Sequence, residues 1–260
     1  MNFQDNQTVL FVSLFINLKE DRQKNGDKYI ELFQKLASSK IPILLFISQN
    51  YYDSYGSEIK DRYPNVLLEV LNLEDLWVYQ AIQDIPDIKL PLTDNSKKDT
   101  RNYHILMNSK LEVIYLAKLK YPNFQSYFFL DCGIFHIFRN YEAIYRKLEE
   151  INNINRIESK GDIILPATHW AKLEYLQIQM DRYWNQIYWR FLGGVIMVNN
   201  PMIDIFWNLF KVFFTEECVN KKRIVWEVNI WALMEAKYPN LAFNTYLGDH
   251  NDSMLLNMQI

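Results

Sequence analysis

The sequence predicts an α/β fold in which one domain, residues 1–260, builds a central, mostly parallel sheet flanked by helices. Three observations predict it. Short runs of β-branched and large apolar residues alternate with helical stretches, the pattern of parallel strands joined by crossover helices. Hydrophobic residues make up 49% of the 260, with 7 Gly and 8 Pro, which excludes disordered and low-complexity chains and suffices for a full core. One nearly all-apolar run ends abruptly on a carboxylate, and open α/β sheets bind their ligands beyond such strand ends.

Taken in order, Val9–Ile16 has Ser13 as its one polar residue and reads as a buried strand. It lacks the preceding basic segment and small-residue cleavage site of a leader peptide. A helix over Tyr29–Ala37 leads to a strand at Ile43–Ser48, and helical sequence near Gly56–Arg62 leads to another at Val66–Leu71. Residues 84–99, with Pro86, Pro91 and an Asn-Ser-Lys-Lys run, read as a surface connection inside the fold. A long helix over Arg101–Lys120 precedes the strand Tyr127–Asp131. The second half predicts a helix at Tyr141–Glu150, a strand at Ile163–Leu165 and a helix through Leu173–Trp184. A strand over Gly193–Val198 opened by two glycines follows, then helices at Ile203–Phe214 and Val225–Ala236 and a last strand near Leu241–Leu247.

A formal charge of -3 gives no global basic field, so nucleic acid is not an expected partner. Cys132 and Cys218 are too few for a disulfide framework and form no CxxC pair, which fits a reducing compartment. No segment approaches the roughly 20 uninterrupted apolar residues of a membrane helix. The expected location is the cytoplasm, or the host cytoplasm for a viral chain.

The chemistry is expected at the end of Tyr127–Asp131. Asp131 lies just past a buried strand with Gly133 two residues on, a place where a divalent cation bridging a diphosphate finds a hard oxygen ligand; it also reads as a turn cap. Lys110 shares a helix face with Leu106, Met107, Val113, Ile114 and Ala117, so its ammonium needs an anion or must snorkel to water. Gly193 and Gly194 open an apolar strand and permit close approach of a ligand to backbone, or mark a bulge. Glu227 sits between Trp226 and Trp231 in a helix, either as a general base or charge stabiliser, or as a structural glutamate paired with a lysine. Trp226 could stack on a sugar face or belong to the core. His250, in Gly248-Asp249-His250-Asn251-Asp252-Ser253, would complete with Asp131 a mixed nitrogen and oxygen site of the kind Mn²⁺ accepts, or is a solvated tail residue. His104, His136 and His169 have weaker context, and no HExxH motif, Walker A loop, GxSxG elbow or GxGxxG fingerprint is present. The carboxylates beside Cys132 and Cys218 argue against a nucleophilic thiol.

In order along the chain, Val12-Ser13-Leu14-Phe15, Tyr103-His104-Ile105-Leu106-Met107-Asn108-Ser109-Lys110, Phe129-Leu130-Asp131-Cys132-Gly133-Ile134, Phe191-Leu192-Gly193-Gly194, Trp226-Glu227-Val228-Asn229 and Asp249-His250-Asn251-Asp252-Ser253 resemble the HtrL/YibB family of bacteria and large viruses, regarded as glycosyltransferase-like. The order of these features also looks like glycogenin-type retaining transferases at the level of fold. The resemblance implies a GT-A-like, Rossmann-type domain that moves a sugar from a nucleotide-diphosphate sugar, a UDP-sugar with Mn²⁺ or Mg²⁺, to a hydroxyl of a glycan acceptor. It implies that Asp131 binds the donor's metal or ribose, Lys110 lies near the diphosphate, Gly193 and Gly194 pass the sugar, His250 is a late metal ligand, and Ser13 and Phe15 flank the base. One departure stands out: Gly133 occupies the place of the second Asp of a DxD motif, which leaves metal dependence open. A non-catalytic nucleotide-sugar or carbohydrate-binding protein with a degenerate site is the alternative expectation.

Overall fold

In the computed structural model, residues 8–18, 26–93, 95, 98–154, 163–168 and 180–259 are described, with the side chains of 180–182 left aside. His169 and residues 173–179 of the helix expected at Leu173–Trp184 lie outside them.

The run Val9–Phe15 (β1) is buried along its whole length because helices cover both faces of the sheet. Its side chains alternate between two cores. Val9, Phe11 and Phe15 pack on one face with Gly26–Ala37 (α1), Gln49–Arg62 (α2), Tyr141–Asn152 (α6) and Ser253–Leu256 (α10). Leu10, Val12 and Leu14 pack on the other with Trp77–Ile82 (α3), Arg101–Asn108 (α4), Lys110–Lys120 (α5), Met180–Asn185 (α7), Asn200–Phe214 (α8) and Glu227–Lys237 (α9). Period-2 alternation in a strand thus sorts one apolar run into two layers.

The other strands are Ile43–Ile47 (β2), Val66–Val70 (β3), Ser126–Leu130 (β4), Ile163–Ala167 (β5), Val195–Asn199 (β6) and Phe243–Leu247 (β7). They form one seven-stranded sheet in the order β3-β2-β1-β4-β6-β5-β7. The sheet is mostly parallel: β6 alone runs against its neighbours, pairing antiparallel with β4 from Leu130↔Val195 to Ser126↔Asn199 and with β5 on its other side. Because β6 is reversed, its N-terminal end lies at the same edge as the C-terminal ends of β1 and β4. That edge is where residues 14–18, 131–134 and 193–194 meet.

Two expected elements differ. The helix expected over Arg101–Lys120 is broken at Ser109, whose Oγ donates to the Ile105 carbonyl at 2.9 Å while its amide reaches back to Leu106 O. Such back-bonding by serine competes with the helical ladder, and here α4 ends and α5 restarts at Lys110. The strand expected from Gly193 starts at Val195, and the glycine pair lies in the turn before it. The described residues of 84–99 form a connection as expected, although not wholly at the surface: Ile88 and Pro91 are buried, and Lys89 bridges to Arg223.

Candidate functional site

A cavity of about 250 Å³ opens at the edge where β1, β4 and β6 meet. Its floor comes from the segment after β1, from Asp131–Ile134 after β4 and from Gly193–Gly194 before β6; α4, the start of α5 and the start of α9 form one wall. Of the residues singled out in the sequence, Phe15, Lys110, Asp131, Gly193, Gly194, Trp226, Glu227 and His250 all line it. Ser13 does not. It is fully buried inside the sheet, and its hydroxyl donates to the Leu130 carbonyl at 2.7 Å, so it locks β1 to the end of β4 and cannot flank a bound base.

At the centre is an ion cluster. Lys110 is 2% exposed at the first position of α5, where the positive end of the helix dipole makes an ammonium unwelcome. Three acceptors offset this. Its Nζ lies 3.1 Å from Asp131 Oδ1, donates to Glu227 Oε1 at 3.0 Å and donates to the Gly193 carbonyl at 2.8 Å. Burial would lower the lysine's pKa, and Asp131 and Glu227 outweigh it, holding the pKa above the ordinary value. An ammonium has three protons, and all three are taken. The anion that Lys110 needs is therefore supplied by the protein: the residue expected near a diphosphate is held by Asp131, Glu227 and the Gly193 carbonyl.

Glu227 begins α9 and is 4% exposed. One oxygen is fixed on Lys110, while Oε2 is buried with no partner among the described residues. A buried oxygen without a donor costs about 1–3 kcal/mol, which a hydroxyl entering the cavity would relieve. Asp131 differs in exposure: its side chain is 38% exposed, and its amide donates to Gly194 O, extending the β4–β6 ladder by one step.

The glycines, which line the cavity, make room for protein side chains. A Cβ on Gly193 would stand 2.2 Å from Glu227 Oε1, and one on Gly194 would stand 2.9 Å from Met254 Sδ. Gly193 is thus what lets the Glu227 carboxylate reach Lys110. A Cβ at Gly133 would stand 2.8 Å from the Tyr29 ring, so an aspartate there, completing the pattern Asp-x-Asp, would require Tyr29 to move.

Aromatic rings build the walls. Phe15 stacks on Tyr29 at 5.8 Å and meets Tyr51 edge-on at 4.8 Å. Across the cavity, Trp226 meets Tyr103 at 5.3 Å and His104 at 5.5 Å. The indole Nε1 of Trp226, both ring nitrogens of His104 and Asn108 Oδ1 are buried without partners among the described residues. Burial pulls the His104 pKa down to about 4, so this imidazole is neutral at pH 7. His250 stands at the mouth, 48% exposed, edge-on to Trp189 at 4.7 Å. Burial lowers its pKa against the pull of Asp249, and the charges of Lys98, His136 and Asp131 are also felt there.

Sequence reasoning placed none of Tyr29, Lys98, His136 or Trp189 at the site, although all four line the cavity and His136 stood out only as a histidine of weaker context. His136 follows Asp131 by five positions, with Nδ1 2.6 Å from Gly133 O, and an apolar context hid it. Trp189 and Lys98 gave no signal beyond their residue type. Cys132 also lines the cavity, and burial, aided by Asp131, pushes its thiol pKa far up, so it is no nucleophile.

Among the described residues no three His, Cys, Asp or Glu side chains gather closely enough to hold a metal ion. Asp131 and His250 offer one hard oxygen and one neutral nitrogen at the cavity, which Glu227 and His136 also line. That donor set fits a cation completed by a ligand's own oxygens better than one held by protein alone. No described helix is long and apolar enough to cross a membrane.

No protein-family model and no curated protein matches the sequence, so nothing in these comparisons shows the HtrL/YibB family. Solved structures match across most of the chain at low identity. Mouse xyloside xylosyltransferase 1 in its apo form aligns with a TM-score of 0.48 at 8% identity, over 92% of this chain and 84% of that one. A glycosyltransferase involved in the glycosylation of the major capsid of PBCV-1 aligns with a TM-score of 0.46 at 11% identity, over 92% and 81%. The 4-diphosphocytidyl-2C-methyl-D-erythritol synthase of Anaerococcus prevotii aligns with a TM-score of 0.48 at 12% identity, over 98% and 91%.

Proposed function

We propose that the protein is a glycosyltransferase that moves a sugar from a nucleoside-diphosphate sugar, a UDP-sugar in the first instance, to a hydroxyl of a glycan acceptor. The observation that carries this reading is Glu227: a carboxylate positioned through one oxygen by a buried lysine, with its second oxygen buried, unpartnered and in a residue that lines the cavity. That is what a group awaiting a substrate hydroxyl, or an electron-poor sugar carbon, requires. Lys110 positions both Glu227 and Asp131. With one ammonium against two carboxylates, the cluster keeps one uncompensated negative charge facing the cavity, which suits a divalent cation or developing positive charge and repels a bare diphosphate.

Asp131 and His250 are the residues that would hold Mn²⁺ or Mg²⁺ together with the diphosphate. When bound, the cation would neutralise charge on the departing nucleoside diphosphate. Phe15 and Tyr29 offer an aromatic face for the base, and Trp226 a face for the sugar.

The test incubates the protein with a panel of nucleotide-sugars and Mn²⁺ and follows released nucleoside diphosphate. Slow release without acceptor, accelerated by the right glycan, is the expected result. Thermal stabilisation by the nucleotide with no release would replace the reading with a carbohydrate or nucleotide-binding protein. Release of pyrophosphate from a nucleoside triphosphate would replace it with nucleotidyl transfer.

A further inference from the structure

The cleft has two acids in its lining and a lysine whose protons are all taken. Asp131 and Glu227 face the cavity, and the ammonium of Lys110 donates to three protein acceptors. An anionic ligand must therefore find its positive charge elsewhere. Lys98 is the other lysine that lines the cavity. It lies two residues before Thr100, whose hydroxyl caps α4, and the next lining residues, Tyr103, Leu106 and Met107, continue along that helix toward Lys110.

Its surroundings hold the charge without cancelling it. The Lys98 ammonium sits 5.8 Å from the centroids of both the Tyr103 and Trp226 rings. Aromatic faces attract a cation and carry no net charge, so the ammonium keeps its full charge for a ligand. No carboxylate among the described residues forms an ion pair with it. His250, which also lines the cavity, registers the positive charge of Lys98.

We propose that Lys98 receives the anionic oxygens of the donor's diphosphate, and that its ammonium over Tyr103 and Trp226 is a binding site distinct from the Lys110 cluster. The inference rests on the glycosyl-transfer reading. It assigns the two lysines opposite duties: Lys110 organises carboxylates, and Lys98 binds phosphate. A charge-assisted contact to phosphate contributes enough that its loss weakens binding about ten- to a hundredfold. Arginine in the same place would keep both the charge and the stacking on the rings.

Calorimetric titrations of the full chain in the presence of Mn²⁺ with UDP, ADP, CDP and GDP, with the matching nucleosides, and with nucleotide-sugars bearing and lacking a sugar carboxylate, test this in wild type, Lys98→Ala and Lys98→Arg. The expected result is that Lys98→Ala loses about ten- to a hundredfold in affinity for the preferred diphosphate, keeps its affinity for the nucleoside and its melting temperature, and is restored to within about threefold by arginine. A diphosphate affinity unchanged in Lys98→Ala overturns the assignment and leaves the glycosyl-transfer reading standing. An unchanged diphosphate affinity with a loss confined to nucleotide-sugars whose sugar bears a carboxylate also overturns it, moving Lys98 to the sugar. Wild-type protein that binds none of the four diphosphates overturns both the assignment and the reading beneath it.

Discussion

Lys110 and Glu112 lie two residues apart in the first turn of α5, both buried, and they meet opposite fates. Two positions along a helix turn the side chain through about 200°, so the pair faces different neighbours. Lys110 looks to the sheet edge and gathers Asp131, Gly193 and Glu227, groups brought together from three distant parts of the chain. Glu112 looks to α3, where both of its oxygens accept the Trp77 amide at 2.8 and 2.9 Å. It caps a helix that has no side-chain cap of its own. Burial of an ionisable group is thus common to both and diagnostic of neither. What separates them is closure: the Glu112 set is complete within the fold, whereas the Lys110 set ends on Glu227 Oε2, an oxygen that no described residue satisfies.

The largest effect expected from breaking this contrast is that of Lys110→Met. Removing one member of a buried ion network leaves the others uncompensated, at a cost of about 3–5 kcal/mol. Urea denaturation should show that loss together with loss of transfer. The triple variant Lys110→Met, Asp131→Asn, Glu227→Gln should recover much of the stability and none of the activity. A single Lys110→Met variant as stable as wild type would mean that the cluster is not a network.

Glu227→Gln comes next. It keeps the shape and the contact to Lys110 while removing the charge, so transfer should fall by about 10²- to 10⁴-fold with nucleotide affinity kept. Glu112→Gln, the paired control, should leave transfer within about twofold of wild type. Equal losses from the two changes would erase the distinction drawn between them. Gly193→Ala should act as a milder form of Glu227→Gln, because the new methyl falls 2.2 Å from Glu227 Oε1 and must push the carboxylate off Lys110. Overpacking of this kind costs about 1–3 kcal/mol. Transfer unaffected by the alanine would show that Glu227 works from another position.

The contrast also marks what the sequence could tell. The strands were legible because runs such as Val9–Phe15 and Ser126–Leu130 are apolar nearly throughout, as sheets covered on both faces require. The break at Ser109 was not, since Leu106, Met107 and Leu111 keep the apolar rhythm across it and the serine's back-bond is visible only in three dimensions. That Lys110 needs an anion could be read from its apolar neighbours. Which anion could not, because Asp131 and Glu227 lie 21 and 117 residues away. Gly193 signalled a close approach, but the approaching group proved to be Glu227. Lys98 was hidden in a polar run that reads as a solvated connection.

The smallest effect sharpens the comparison within one core, through pH. Burial pushes the Glu112 carboxyl up to about 7 in spite of the Trp77 and Val78 amides and Lys211, and it pulls His104 on α4 down to about 4. For Glu112 the unfolded chain loses its proton near pH 4.5 while the fold keeps it until about 7, so this group makes stability fall as pH rises through that window. For His104 the unfolded chain gains a proton below about 6.5 while the fold resists until about 4, so stability rises with pH between those values. From about pH 4.5 to 6.5 the two slopes oppose each other, and the melting temperature of the wild type should carry little net contribution from the pair. Each variant should uncover the other's slope: with Glu112→Gln the melting temperature climbs with pH across that range, and with His104→Gln it declines. Parallel curves for the two variants would show that these groups do not hold the protonation states their burial imposes.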